Sequence, residues 1–556
     1  MKPKVKARPP AARRSPAKAV PVPPVEPARS RAELLQAILG CTLIGLAGLI
    51  YFYRSTVFSG GALTYGDAGD VRFVNAILEH WWNVLHGVSD WKSPNFFHPL
   101  KGVLSWSEAF VLFSIPYVLL RLLGVDLFTA YQLSVAAVSL LAYSGMALLL
   151  GRTLRMPWAI AAAGAWIFAY SRLNLMYSNH PQMLTACLLP WMLMHVIGYW
   201  RRIESPWITR MPHVAGFFAI LSLTAMTSMY VAWFVALFTA LVAPAGAALA
   251  VARHGVSRSL ATAARWFWRN LAHISLSAIL GALLVSPVYW LHIWNQGPPV
   301  RMPWLVNYSN MPRPVWNGVG IGLLALVLAV GTIAAVQLMR RSGALFRPLE
   351  SGCAAAITAG IVLAYALMVV SDGGTLWWYV YNHFPGGGAI RVVSRFHQVL
   401  QAFLVIVAAL GLNALWRRDR GLPLASRSLQ LAALGLCCLL PLEQHFKYPP
   451  TWSKTEHQAR LASVSRVPQT CESFFFAFPA SDTRDPAFRH IDTMLVAQRD
   501  RVPTIDGYSG RIPFQWPLWH ATGPSAAVAA KEWAQRFGLT NVCQYSPETQ
   551  SWSAPW

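Results

Sequence analysis

Long apolar runs recur along most of this 556-residue chain, and they constrain its fold more than any other feature. About 20 consecutive apolar residues span the hydrocarbon core of a bilayer as a helix, because a helix satisfies its own backbone hydrogen bonds there. Only 12% of the residues are charged, about half the fraction usual in soluble proteins. The sequence therefore predicts a polytopic α-helical membrane protein.

The apolar runs predict 11 or 12 spans, at residues 34–53, 107–122, 128–150, 157–175, 183–200, 213–227, 229–250, 268–287, 316–339, 352–370, 396–415 and 428–442. If 107–122 and 128–150 both cross the bilayer, Arg152 and Arg155 lie outside, against the positive-inside rule. We favour the alternative in which the short run 107–122 does not cross completely.

The net charge of +24 is distributed as in a membrane protein and predicts no nucleic-acid partner. Residues 1–31 hold nine Lys/Arg, one Glu and many Pro, which predicts a disordered cytoplasmic tail. Further basic clusters mark the inter-span loops: Arg201/Arg202, Arg253/Arg258, Arg340/Arg341 and Arg417/Arg418. This alternation predicts a membrane domain over 32–442, with a long first outer loop at 54–106, and places residues 443–556 outside.

The C-terminal region 443–556 is nearly neutral, with 11 Lys/Arg and 10 Asp/Glu. Its short apolar runs and turn dipeptides predict a small extracytoplasmic α/β domain. Cys471 and Cys543 lie within it. If the region is outside the cytoplasm, we expect a disulfide between them.

Carboxylates gather in the first outer loop, where five of the 12 acidic residues before position 443 lie between Asp67 and Glu108. Asp67 and Asp70 belong to Gly66-Asp67-Ala68-Gly69-Asp70, which precedes an amphipathic helix near 71–86. They either cap this helix or act as the general base for a hydroxyl or amine acceptor. His98 and Glu108 are candidates for orienting that acceptor. The alternatives are a solvated loop histidine and a charge at a helix N-terminus.

Two further outer segments carry candidate groups. His180 follows Ser178-Asn179 and would lie on the same side as Asp67. It is either a functional group there or only a capping or loop residue. Arg391 and Arg395 follow the glycine run 386–388, and their spacing predicts one helix face. Near a helix start they would form a phosphate or pyrophosphate site; the alternative is interfacial snorkelling. Arg301 and Arg313 are weaker candidates of the same type.

No zinc spacing, Walker loop or nucleotide-binding glycine pattern occurs. Energy would therefore come from an activated lipid-linked donor or from a gradient. Besides an enzyme, the sequence leaves open a transporter or lipid flippase, and a non-catalytic membrane scaffold. A transporter would need polar residues near the midplane of several spans, where carboxylates are scarce.

Taken in order, five motifs resemble those of the GT-C membrane glycosyltransferases, and of one bacterial branch in particular. They are Gly66 to Asp70, Phe96-Phe97-His98-Pro99, Ser107-Glu108, His180-Pro181-Gln182 and Asp506-Gly507-Tyr508-Ser509-Gly510. The resemblance covers most of residues 34–515. It implies a multi-pass protein of the bacterial cytoplasmic membrane, with a cytoplasmic N-terminus and a periplasmic or extracellular C-terminal domain.

The resemblance also implies an activity. A sugar would move from a polyprenyl-phosphate-linked donor to a glycan, lipid or protein acceptor outside the cytoplasm. The base would be Asp67, with Asp70 as its partner or alternate, and Arg391 and Arg395 would hold the donor phosphate. No cofactor is certain. The Asp-Ala-Gly-Asp spacing departs from the tighter acidic pair of better-known relatives, which leaves open which Asp acts and whether a divalent metal binds.

Overall fold

The computed structural model of the chain describes residues 31–293, 318–340, 345–371, 374–417, 423–447 and 449–556. The predictions made for the basic tail up to residue 30, for Arg301 and Arg313, and for Arg341 and Arg418 lie outside these residues. From residue 41 onward the described chain forms one compact unit.

Helices make up most of the described chain. In chain order, α1 to α19 are Arg31–Phe52, Arg54–Phe58, Asp70–Leu85, Val111–Leu122, Leu127–Leu148, Trp158–Ala169, Arg172–Met176, Leu189–Arg201, Trp207–Thr227, Met229–His254, Val256–Val288, Ile321–Arg340, Pro348–Met368, Trp377–His383, His397–Arg417, Pro423–Glu443, Lys454–Ser463, Pro486–Asp500 and Pro524–Phe537. Short 3-10 or π-helical turns extend α5, α8, α11 and α15, at Leu149–Thr153, Pro181–Leu188, Tyr289–Ile293 and Val393–Phe396. The strands β1 to β7 are Leu63–Tyr65, Val370–Ser371, Gly374–Thr375, Thr451–Ser453, Ser473–Phe476, Val542–Ser546 and Ser551–Trp552.

Within the described ranges, nine helical segments are long and apolar enough to cross a bilayer: Arg31–Phe52, Leu127–Thr153, Pro181–Arg201, Trp207–Thr227, Met229–His254, Val256–His292, Ile321–Arg340, Pro348–Met368 and Val393–Arg417. Each corresponds to one predicted span, and the chain is a multi-pass membrane protein. The prediction of 11 or 12 spans exceeds this number by the runs at 107–122, 157–175 and 428–442.

The run 157–175 is broken because its helix α6 ends at Ala169. The Asn174 side chain donates to the carbonyls of Phe168 and Ala169 at 3.0 and 2.9 Å, which satisfies the helix end. The 12 residues of α6 extend only about 18 Å, against a hydrocarbon core of roughly 30 Å. The run 428–442 lies in α16, whose first half carries Arg427 between two serines.

The run 107–122 forms α4, and both of its ends lie on the side of the C-terminal region. At its end, Arg121 pairs with Glu79 of α3 at 2.9 Å. The following Asp126 caps α5 and accepts a hydrogen bond from Gln458 of α17 at 2.9 Å. The short helix therefore turns back, as in the favoured alternative, and α5 carries Arg152 to the opposite side.

The C-terminal region contains a three-stranded sheet of order β5-β6-β7, in which β5 and β6 are parallel and β6 and β7 antiparallel. The helices α18 and α19 accompany it. A disulfide joins Cys471, just before β5, to Cys543 in β6. This sheet and its helices form the small α/β region that the sequence predicts.

Strand pairing joins the first outer loop to the start of the C-terminal region. The strand β1 pairs antiparallel with β4, with Leu63 opposite Ser453. The next residue after β1 is Gly66, so this pairing fixes the start of the acidic motif. On the other side of the motif, the Asn83 amide of α3 donates to the Gln498 carbonyl of α18 at 2.9 Å.

Candidate active site

The motif from Gly66 to Asp70 packs closely against neighbouring segments at two glycines, where a side chain would not fit. Gly66 has φ +103°, and a Cβ there would lie 2.7 Å from the carbonyl oxygen of Ser178. Gly69 precedes α3, and a Cβ on it would lie 2.7 Å from the ring of Phe488. The segment containing Ser178 can therefore approach the motif closely, and it brings His180 with it.

Asp67 and Asp70 have different local roles. The Asp67 carboxylate is half-buried and accepts the backbone N–H of Gly69 at 2.8 Å, which closes a turn of the kind that aspartates favour. Asp70 is the first residue of α3, and no side chain caps that helix. Capping by Asp70, one of the two alternatives, is thus not what the structure shows.

The Asp70 carboxylate is held from two sides. The Tyr508 hydroxyl donates to Oδ1 at 2.9 Å, and the His180 Nδ1 lies 3.2 Å from Oδ2. Burial raises the pKa of Asp70 and the nearby Asp67 raises it further, while the Tyr508 hydrogen bond, Arg395 and Arg391 oppose the shift.

His180 is neutral in this setting. Burial, with the positive charges of Arg395 and Arg391, lowers the pKa of His180 to about 2. The His180 Nδ1 lies 3.2 Å from Asp70 Oδ2, and because the imidazole is neutral this is a close polar contact and not an ion pair.

Two arginines face these carboxylates, and both engage Tyr230 near the start of α10. Arg395 is 6% exposed, and its guanidinium carbon lies 5.0 Å above the Tyr230 ring. Within the described chain its Nε is buried without a hydrogen-bond partner. The Arg391 backbone N–H donates to the Tyr230 hydroxyl at 3.0 Å, and its Nη1 donates to the Gly510 carbonyl at 3.3 Å.

The prediction that Arg391 and Arg395 share one helix face is wrong. Residues 390–392 are extended, and helical turns begin only at Val393. The Arg391 N–H donates to the Tyr230 hydroxyl, and the backbone is still extended at Val392. The two arginines are therefore not one helical turn apart. The two guanidinium groups nevertheless act on the same carboxylate, that of Asp70.

Glu108 is buried, at 7% exposure, and Arg395 is the arginine that acts on it electrostatically. It accepts hydrogen bonds from the Ser228 hydroxyl at 3.0 Å and the Met229 N–H at 2.7 Å, at the start of α10. Burial raises its pKa to about 7, although these hydrogen bonds and Arg395 oppose the rise. Glu108 thus serves the N-terminus of α10 and not that of α4, which begins at Val111.

His98 lies away from this group. Its backbone joins the C-terminal region, where its N–H donates to Thr504 at 3.0 Å and its carbonyl accepts from Trp533 at 2.8 Å. The charged groups that act on its ring are Lys101 and Glu472. Its predicted role toward an acceptor therefore has no contact to support it.

Sequence reasoning missed Tyr508 and Tyr230 as site residues. Tyr508 is 438 positions from Asp70, so no local pattern connects the two. The signal was present in the Asp506 to Gly510 stretch, which turns sharply: a Cβ on Gly510 would lie 2.6 Å from the Trp106 carbonyl oxygen. Tyr230 stands in an apolar run with no distinguishing pattern.

The carboxylates do not form a metal-binding cluster. Across the residues that the structure describes, no group of three His, Cys, Asp or Glu side chains is arranged to hold an ion. One oxygen of Asp70 accepts from the Tyr508 hydroxyl, and the other lies 3.2 Å from His180 Nδ1. The site thus consists of two carboxylates, a neutral histidine and two arginines.

No protein-family model matches the chain, and no curated protein matches it either. Among solved structures, the chain is similar to the apo oligosaccharyltransferase of Archaeoglobus fulgidus, with TM-score 0.50, 12% identity, and 93% of this chain and 70% of that chain covered. The arabinofuranosyltransferase AftD from Mycobacteria gives TM-score 0.42 and 15% identity over 82% of this chain and 30% of that chain. ArnT from Cupriavidus metallidurans, bound to undecaprenyl phosphate, gives 0.41 and 14% over 94% of each. The first likeness shows a shared fold, and the other two are too distant to carry an argument.

Proposed function

We propose that this chain, which has the fold of the GT-C membrane glycosyltransferases, is itself a glycosyltransferase. Its donor would be a sugar linked to polyprenyl phosphate, and its acceptor a hydroxyl or amine group outside the cytoplasm. The observation that carries the proposal is the set of two carboxylates facing two arginines, built jointly from the first outer loop, the segment before α15 and the C-terminal region.

In the proposed step, a bond forms between the acceptor atom and the anomeric carbon of the sugar. The bond between that carbon and the phosphate oxygen breaks, and its electron pair leaves with the polyprenyl phosphate. The acceptor proton passes to a carboxylate, and a positioned base of this kind typically contributes 10²–10⁴-fold to a rate.

Asp67 suits the role of base and Asp70 that of its positioning partner. Asp70 Oδ1 accepts from the Tyr508 hydroxyl, and Oδ2 lies 3.2 Å from His180 Nδ1. Asp67 has one hydrogen bond, through Oδ1, to the nearby backbone. It therefore keeps acceptor capacity for an incoming hydroxyl.

Arg395 suits the departing phosphate. A buried guanidinium without a carboxylate at bonding distance is costly unless something compensates its charge. Arginine matches the geometry of phosphate oxygens with two parallel hydrogen bonds. The cation–π contact with Tyr230 holds the group in place while leaving Nε free of protein partners among the described residues.

Binding of undecaprenyl phosphate to the full chain in lipid nanodiscs tests this proposal. Arg395→Gln is expected to weaken binding by about 10- to 150-fold, because hydrogen bonds to charged groups contribute about 1.5–3 kcal/mol each. The control is Arg466→Gln, since the Arg466 side chain is 73% exposed in the C-terminal region. Equal affinity of Arg395→Gln and wild type would remove the phosphate role.

A further inference from the structure

A cavity lies in the C-terminal region, between α17, α18 and the sheet β5–β6. Its volume is about 180 Å³, room for about six water molecules at roughly 30 Å³ each. One wall carries Arg72, Arg460, Arg484 and Asp492, and the other carries aromatic rings. None of the candidate catalytic groups lines it.

The charged wall has three arginines for one carboxylate. Asp492 accepts from Arg72 through Oδ1 and from Arg484 through Oδ2, the latter at 2.9 Å, and Arg460 lies 3.5 Å away. Arg484 and Arg460 have further partners in Asp482 and Glu456, which do not line the cavity. Among the side chains that line the cavity, three arginines therefore face one carboxylate, and the two carboxylates that balance the remaining charge lie outside the lining.

Two buried nitrogen atoms of this wall have no hydrogen-bond partner in the described chain. They are Nη2 of Arg72, a side chain with 0% exposure, and Nδ1 of His457. Burial, with the charges of Arg72 and Arg460, lowers the pKa of His457 to about 4, so it is neutral. Buried polar atoms are normally satisfied, and these two residues both line the cavity.

The opposite wall is aromatic. The rings of Phe476 and Tyr545 lie 4.7 Å apart with 37° between their planes. The guanidinium of Arg484 lies 5.4 Å over the ring of Phe478, so the two walls meet there. Such a cavity suits a ligand with a ring on one side and an oxyanion on the other, because guanidinium forks match carboxylate and phosphate oxygens.

We infer that this cavity binds an acidic monosaccharide unit, with its carboxylate or phosphate on Arg72 and its neighbours and its ring against Phe476 and Tyr545. The site goes beyond the proposed transferase activity, and its occupancy does not depend on that activity. It nevertheless adjoins the acidic motif, because Arg72 Nε–H donates to the Ala68 carbonyl between Asp67 and Asp70.

Calorimetric titration of the full chain in lipid nanodiscs tests the inference with four probes: glucuronate, glucose 6-phosphate, glucose and inorganic phosphate. At least one acidic sugar is expected to bind tenfold or more tightly than glucose and than phosphate, and whichever binds more tightly identifies the oxyanion. Absence of such a preference would overturn the inference and leave the arginines as an ion-pair network between α3 and α18.

Substitutions at the cavity rim locate the site without disturbing the ion pairs. Gln550 is exposed and lines the opening. Gln550→Lys should bind the acidic sugar several-fold more tightly and Gln550→Glu several-fold more weakly, with both effects shrinking at high salt. The matched control is Gln515→Glu, since Gln515 is also exposed, has a positive φ and lies outside the cavity. Identical affinities for the two Gln550 variants would place the sugar elsewhere.

Discussion

Replacing Tyr508 by Phe isolates one hydrogen bond at the proposed active site. The variant removes the hydroxyl that donates to Asp70 Oδ1 at 2.9 Å. It keeps the ring, which stacks on Trp519 at 6.2 Å and meets the edge of Phe73 at 5.4 Å. The fold of the C-terminal region should therefore be unchanged.

The lost bond stabilises the ionised form of Asp70, so its removal raises a pKa that burial already raises. Hydrogen bonds to charged groups contribute about 1.5–3 kcal/mol. The Asp70 side chain is 28% exposed, so water replaces part of the bond and the low end applies. A loss of about 1.4 kcal/mol corresponds to about one pKa unit.

The assay is sugar transfer as a function of pH. If ionised Asp70 is needed, the acid limb of the rate profile moves to higher pH by about one unit. Relative to the wild type, the activity of the variant is then about tenfold lower at pH values below the acid limb and little changed on the plateau above it. Tyr379→Phe is the control, because Tyr379 is 60% exposed. An acid limb that stays in place or moves to lower pH would refute the reasoning.

Three other perturbations give distinct outcomes. Glu108→Gln should abolish one pH dependence of stability. Because the pKa of Glu108 is raised to about 7, the wild type loses up to about 3 kcal/mol of unfolding free energy relative to the variant as pH rises from below 4.5 through 7. Melting temperatures of the two proteins that change in parallel with pH would contradict this. Gly66→Ala should lower both activity and melting temperature, because its Cβ would meet the Ser178 carbonyl oxygen at 2.7 Å; Gly60→Ala, which has open space, is the control, and equal effects would contradict the packing argument. Cys471→Ser should destabilise the C-terminal region by about 4 kcal/mol, since the disulfide closes 72 positions; an unchanged unfolding transition would contradict it.

The sequence predicts much of the membrane architecture, because each helix that spans a bilayer requires a continuous apolar run. The exceptions have local causes. The run 157–175 ends early because Asn174 folds back onto the last carbonyls of α6. A hydropathy profile does not detect side-chain hydrogen bonds of this kind.

The sequence also predicts most of the groups that meet at the candidate active site. Asp67, Asp70, His180, Arg391 and Arg395 come together, and their roles stay predictions. These residues could be recognised because charged residues are rare among the apolar runs of this chain. His98 does not join them, because its backbone is tied to Thr504 and Trp533 instead.

The contacts of the C-terminal region with the first loop could not be predicted from the sequence, although Tyr508 stands in one of the motifs of the resemblance. Tyr508 reaches Asp70 only because β1 pairs with β4 and the C-terminal region then folds over the first loop. Arg72 is similar, since its partner Asp492 lies 420 positions away. Long-range pairing of this kind leaves no periodic signal in either segment.

The most direct measurement for the account is transfer from undecaprenyl-phosphate-linked sugars by Asp67→Asn, with the full chain inserted in membranes at wild-type level. The matched control is Asp90→Asn, which removes a carboxylate of the same loop whose hydrogen bonds, among the described residues, go to Ser93 and Lys92 of its own turn. If Asp67 is the general base, we expect Asp67→Asn to lower the rate of transfer by at least about 100-fold, the lower bound for such a base. We expect wild-type rates in Asp90→Asn. Wild-type transfer by Asp67→Asn would contradict this role of Asp67.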